Sequence, residues 1–240
     1  MKKVGFIGAF DKTNFVMCIA KALQLLGFKV LVADATSVQK TRYIVPSINP
    51  TKSYITSFEK IDFAVGFDGI EHIEEYFGIK YSTNEEQKTD KYIKKLEDQY
   101  DFLLIDVDNG KKFESFDLEI SDKSYFVTAF DMFSLRKGIA ALQALQMPIN
   151  LTKILFSYET TKEDEEYLNY ISMGYKINWS DYTFYFRILG EDNKVFEENQ
   201  RTQKIRFKRL SNEFKEALLY VLQDIDPSFN TSQLRKIMRD

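Results

Sequence analysis

The stretch KKVGFIGAFDKTNFVMCIAKALQLLGFKVLVADAT, from Lys2 to Thr36, decides the fold. A short apolar run, Val4 to Ile7, leads into a turn that carries Gly8, Lys12 and Thr13. Phe15, Ile19, Leu23 and Leu26 then recur at helical spacing, Gly27 stands where a helix stops, and a second apolar run ends in Asp34. Strand, turn, helix and strand in that order frame an anion site, in which backbone amides at a helix N-terminus and one lysine surround a phosphate. Lys-Thr alone is a common dipeptide, and its place between strand and helix is what gives it weight.

Outward from this unit the same alternation continues. Apolar runs recur at Phe63 to Val65, Phe102 to Ile105, Tyr125 to Thr128, Ile154 to Phe156 and Phe184 to Ile188. Several are continuous rather than alternating, as in strands buried on both faces. Between them lie helical series at Leu135, Ile139, Leu142 and Leu145, closed by Pro148, and at Phe214, Leu218, Val221 and Ile225, closed by Pro227. The expectation is α/β: a mostly parallel twisted sheet of about seven strands with helices on both faces. Neither an internal repeat nor a Gly/Ser- or Pro-rich linker interrupts 1–240, so one domain is expected. Tyr81 to Asp101 reads as a polar loop and short helix, Val195 to Leu210 shows no clear period, and 230–240 reads as a frayed tail or a short helix.

Composition narrows the functional classes. The 33 Lys and Arg nearly balance the 36 Asp and Glu, so no global field draws the chain to nucleic acid or a membrane. The single cysteine, Cys18, rules out an intramolecular disulfide and reads as a core residue of the first helix. The single histidine, His72, sits among Glu71, Glu74 and Glu75 and reads as a solvated surface residue, which argues against a His-centred triad. No signal-like start and no apolar run of about 18 residues is present, so a cytoplasmic protein with no transmembrane segment is expected.

A second chemical element is Tyr100 to Gly110, YDFLLIDVDNG. An apolar strand ending in Asp106 places a carboxylate at the carboxyl edge of a parallel sheet, beside Thr13, where it could orient Mg²⁺. The basic cluster Arg201, Lys204, Arg206, Lys208 and Arg209 reads first as a solvated edge balancing nearby acids and second as a DNA contact. The aromatic run Trp179, Tyr182, Phe184, Tyr185 and Phe186 reads as sheet packing.

The Lys2–Thr36 unit, YDFLLIDVDNG and SYFVTAFDMFSLRKGIAAL together resemble the MinD/ParA family of deviant Walker P-loop ATPases, which includes the TadZ and CpaE-like pilus proteins. The resemblance implies a nucleotide loop at Gly8, Asp11, Lys12, Thr13 and Asn14, with ATP as ligand and Mg²⁺ held by Thr13, Asp34 and Asp106. It also implies a homodimer and protein partners in a pilus, secretion or partition system, at the membrane or cell pole.

Four places depart from the family pattern. The position of its signature lysine holds Ile7, the glycine before the loop lysine is Asp11, the acid beyond the second strand is Thr36, and the base-recognising asparagine is replaced around Ser157 and Tyr158. A carboxylate about 6 Å from a phosphate charge at an effective dielectric of about 20 costs about 3 kcal/mol, about a hundredfold in affinity. Asp11 would instead suit the start of a helix as a cap. The expectation is a divergent, hydrolysis-deficient positioning or assembly factor that acts through dimerisation. The alternatives are an active partition switch that binds ATP-Mg through Lys12 and Thr13, and a dethiobiotin-synthetase-like ligase, for which no substrate constellation is visible.

Overall fold

A computed structural model describes residues 1–46, 53–82, 95–159 and 162–239, with backbone alone for 79–82 and 162–163. The strands are β1 (Lys2–Ile7), β2 (Val30–Asp34), β3 (Tyr54–Phe58), β4 (Ile61–Val65), β5 (Phe102–Val107), β6 (Lys123–Ala129), β7 (Ile149–Ser157) and β8 (Ile177–Arg187). The helices are α1 (Thr13–Leu25), α2 (Thr41–Ile44), α3 (Ile70–Ser82), α4 (Met132–Leu142), α5 (Lys162–Ile171), α6 (Gly190–Thr202), α7 (Asn212–Ile225) and α8 (Thr231–Ile237).

All eight strands join one sheet in the order β3-β4-β2-β5-β1-β6-β7-β8. Every neighbouring pair is parallel except β3 with β4. The sheet is one strand larger than expected because β3 joins its antiparallel edge. Glu59 and Lys60 both adopt left-handed backbone (φ 54° and 64°) in the turn between β3 and β4. That turn type is ordinarily marked by Asn-Gly or Asp-Gly, so this hairpin carries no composition signal.

β1 is central, and Val4, Phe6 and Ile7 are fully buried, as a strand covered on both faces requires. Helix α1 packs against the sheet through Phe15, Ile19 and Leu23, with Cys18 also buried. Its end is closed by a left-handed Gly27 (φ 97°), with the Phe28 amide donating to the Leu23 carbonyl and the Gly27 amide to that of Gln24. That double bond pattern satisfies two carbonyls the helix leaves over. Asp131 caps α4 by accepting the Ser134 amide at 2.9 Å, and Ser211 caps α7 by accepting that of Phe214 at 3.1 Å.

Two stretches take a form that the sequence left open. Val195 to Leu210 is not irregular throughout: its first part belongs to α6, and Ile205, Phe207 and Leu210 bury into the core beyond it. The apolar residues are few in a strongly charged helix, too sparse for a period to show. The final segment takes the second of its two readings, a short helix. Asn230 caps α8, and Leu234 and Met238 enter the same core cluster as α1 and α7. Tyr81 to Asp101 lies largely outside the described residues, of which the last part forms a short turn at Leu96–Asp98.

Because Leu234 is fully buried, Leu234→Ala should destabilise the protein by about 2–5 kcal/mol in urea unfolding. A loss below about 0.5 kcal/mol would show that α8 is not part of the core.

Candidate functional site

β1, β2 and β5 run parallel as neighbours, so their carboxyl ends bring Gly8, Asp34 and Asp106 to one edge. Gly8 has φ 143° and abuts β6: a Cβ there would stand 2.1 Å from the Val127 carbonyl oxygen. Only glycine lets the chain leave β1 at this angle and this close to its neighbour.

Four residues on, Lys12 turns inward. Its Nζ donates to the Gly8 carbonyl at 2.6 Å and pairs with Asp106 Oδ1 at 2.7 Å. Lys12 and Asp106 are 2% and 4% exposed, so the pair is shut away from water. Burial pushes the Asp106 carboxyl up to about 6; Lys12 opposes the rise and neighbouring Asp34 adds to it. Asp106 Oδ1 has no hydrogen bond among the described residues, so the close lysine acts on it as a charge rather than as an aligned donor.

Asp11 lies on the other side of the turn. Its Oδ1 accepts the Thr13 amide, the first of α1, at 3.3 Å, and Oδ2 pairs with Lys40 at the start of α2. Burial alone would raise this carboxyl, but Lys40 and Thr13 together hold it below the usual range. Asn14 faces away toward α6, where its Oδ1 accepts from Gln200 Nε2 at 2.9 Å. Thr13 is buried at the start of α1.

Asp34 is occupied by its own loop. Oδ1 accepts the amide and hydroxyl of Thr36 at 3.1 and 2.6 Å, and Oδ2 accepts the Thr41 amide at 3.0 Å. Thr36, standing where the family pattern has an acid, works as a local turn residue whose hydroxyl also accepts the Gln39 amide at 3.0 Å.

The structure adds residues that the sequence did not single out. Asp108 Oδ1 accepts the amide and hydroxyl of Ser37 at 2.8 and 2.9 Å, while Oδ2 pairs with Lys137 of α4 at 2.9 Å. Asp108 stands in the quoted motif two places after Asp106, just past the end of β5, and that spacing was its only signal. Lys40 has none, because its partner is 29 residues away. A cleft of about 480 Å³ opens beside the turn, lined by Phe10, Asp11, Lys40, Tyr158 and Arg187 among others. Phe10 stacks on Phe156 at 4.7 Å along it.

Comparison with solved structures settles the architecture. MinD from Aquifex aeolicus superposes with a TM-score of 0.54 at 14% identity, covering 100% of this chain and 98% of that one. A putative plasmid partition protein from Borrelia burgdorferi, bound to AMPPNP, gives 0.54 at 14% identity over 93% and 97%. The ATP complex of a McdA variant from Cyanothece gives 0.56 at 10% identity over 96% and 98%. The chain has the MinD/ParA P-loop fold. No protein-family model matches the sequence, and no curated protein matches it.

Within a MinD/ParA P-loop fold the residues expected around nucleotide do converge: Lys12, Thr13, Asp34 and Asp106 stand at one edge. In this arrangement their side chains are turned to partners within the protein and away from a triphosphate with Mg²⁺. The lysine is turned onto Gly8 and Asp106, a carboxylate takes the first helix amide, and both oxygens of Asp34 are engaged. The basic cluster lies elsewhere, in the last turn of α6 and just past it, with Arg209 paired to Glu198 and the interleaved Ile205, Phe207 and Leu210 in the core. The aromatic run lies on β8: Phe186 stacks on Phe156 at 4.9 Å, and Trp179 donates to Ser172 Oγ at 3.0 Å.

Among the described residues Lys12 is the one cation within ion-pair distance of Asp106. Its carboxyl already titrates above the ordinary range, so stability carried by this group is full at low pH and is lost as pH rises through about 6. Removing the lysine raises that titration further. Lys12→Ala should therefore cost about 3–5 kcal/mol at pH 8 and at least about 1 kcal/mol less at pH 5, by denaturant unfolding at both. An equal cost at the two pH values would contradict the pairing.

Proposed function

We propose that this protein is a hydrolysis-deficient MinD/ParA-like factor that positions or assembles other proteins in the cytoplasm, in the manner of the TadZ and CpaE-like proteins of pilus and secretion machines. It acts as a homodimer or partner platform and not through phosphate chemistry. The observation that carries this reading is the inward lysine: Lys12 spends its charge on Gly8 and Asp106, inside the protein. Ile7 and Asp11 add to it, since neither offers a phosphate a positive charge.

The character of the surrounding surface supports a docking role. Val38, Tyr43, Met132, Phe133 and Tyr158 are exposed, at 50% or more in every case, and all follow the carboxyl ends of β2, β6 or β7. Exposed apolar residues gathered around one edge are typical of protein contact surfaces. No helix among the described residues is long and apolar enough to cross a membrane.

The second reading is an ATP-Mg switch for partition. It is favoured by the convergence of Lys12, Thr13, Asp34 and Asp106, and by the AMPPNP and ATP held by two proteins of the same fold. A ligand at 100 times its Kd adds about 2.7 kcal/mol, which in a chain of this size raises Tm by about 5–10 °C. Purified protein in millimolar ATP and Mg²⁺ should instead move by less than about 1 °C and release no phosphate above the Lys12→Ala background. A Tm rise of several degrees that needs Mg²⁺ and disappears in Lys12→Ala would establish the switch.

A further inference from the structure

The misfit between this turn and a triphosphate has a structural counterpart across the cleft. The segment between β2 and α2, residues 35–40, reaches the turn through Lys40 and carries the exposed Val38, with Tyr43 just beyond in α2. In P-loop switches a segment placed like this is ordered by the charge of a bound phosphate and its metal. Here, among the described residues, the Ala35 amide donates to the Asp106 carbonyl at 2.9 Å and the outside side chains that accept hydrogen bonds from the segment are acidic. Asp34 holds Thr36 and Thr41, Asp108 holds Ser37, and Asp11 reaches Lys40.

Asp11 differs from the other two because it touches both halves of the arrangement. One carboxylate oxygen accepts the opening amide of α1, and the other grips Lys40. A negative charge at that place does two things expected of an anion: it satisfies a helix N-terminus and it neutralises a cation on the facing segment.

We propose that Asp11 is a built-in substitute for the anion, a positioning residue that clamps the 36–44 segment in place and keeps the apolar edge assembled without any ligand. The proposal rests on the reading of the cradle as one that takes no nucleotide. It goes further in assigning a task to the residue that closes the cradle: partner docking does not wait for nucleotide because the charge that would arrive with it is already part of the chain.

The test is hydrogen exchange by mass spectrometry on the full chain without nucleotide. An exposed ion pair limits local protection by a factor of about five, so Asp11→Gly should make peptides over 36–44 exchange about threefold to fivefold faster, with β1 and β5 unchanged. Lys40→Gln, which leaves the turn intact, should loosen the same peptides, and this separates the clamp from the flexibility that glycine brings. Inorganic tripolyphosphate with Mg²⁺ should restore protection in Asp11→Gly and leave the wild type unaltered. Equal exchange in Asp11→Gly, Lys40→Gln and wild type would overturn the clamp whatever ATP does. ATP binding by the wild type, with the loosening in both variants intact, would overturn only the nucleotide-free reading above.

Discussion

The arrangement depends on one buried ion pair. Lys12 and Asp106 meet at 2.7 Å with almost no exposure, one at the start of α1 and the other near the end of β5. A lysine taken out of water is tolerable only if its charge is met, and Asp106 and the Gly8 carbonyl meet it. This fixes how β1 leaves the sheet, where α1 begins and how far the turn can open. Gly8, pressed against β6, permits the path.

Around that pair the carboxyl edge is organised by acids facing inward on their own chain. Asp11, Asp34 and Asp108 each accept amides from the loops beside them, and Lys40 and Lys137 balance two of the three. The side chains of such an edge are spent on the protein itself, which is the physical sense in which the cradle is closed. The same bonds hold Val38 in an exposed position, and Lys137 lies 5.4 Å from the Phe133 ring. Under the proposed function this rim, with apolar residues at its surface, is the face that meets a partner.

Much of this was legible in the sequence because it rests on local signals. Strands buried on both faces announce themselves as unbroken apolar runs, and α1, α4 and α7 as apolar residues at helical spacing with Gly27, Pro148 and Pro227 beyond them. The MinD/ParA resemblance drew attention to Gly8, Lys12, Thr13, Asp34 and Asp106, which the fold brings to one edge. What the sequence withheld was direction. Nothing in Asp-Lys-Thr says that the lysine turns inward or that Asp11 pairs with a residue in the next βα connection, since both depend on how β2 and β5 sit beside β1. The β3 hairpin stayed hidden because its turn uses Glu59 and Lys60 in place of glycine, and α6 because its buried residues are few and separated by charged ones.

The proposed function requires that Lys12 belong to the protein's interior and not to a ligand. A crystal structure grown with ATP and Mg²⁺ in large excess tests it most directly. Lys12 Nζ is expected to stay on the Gly8 carbonyl and Asp106, with no phosphate density at the head of α1. A triphosphate seated there with Lys12 swung out to meet it would contradict this picture.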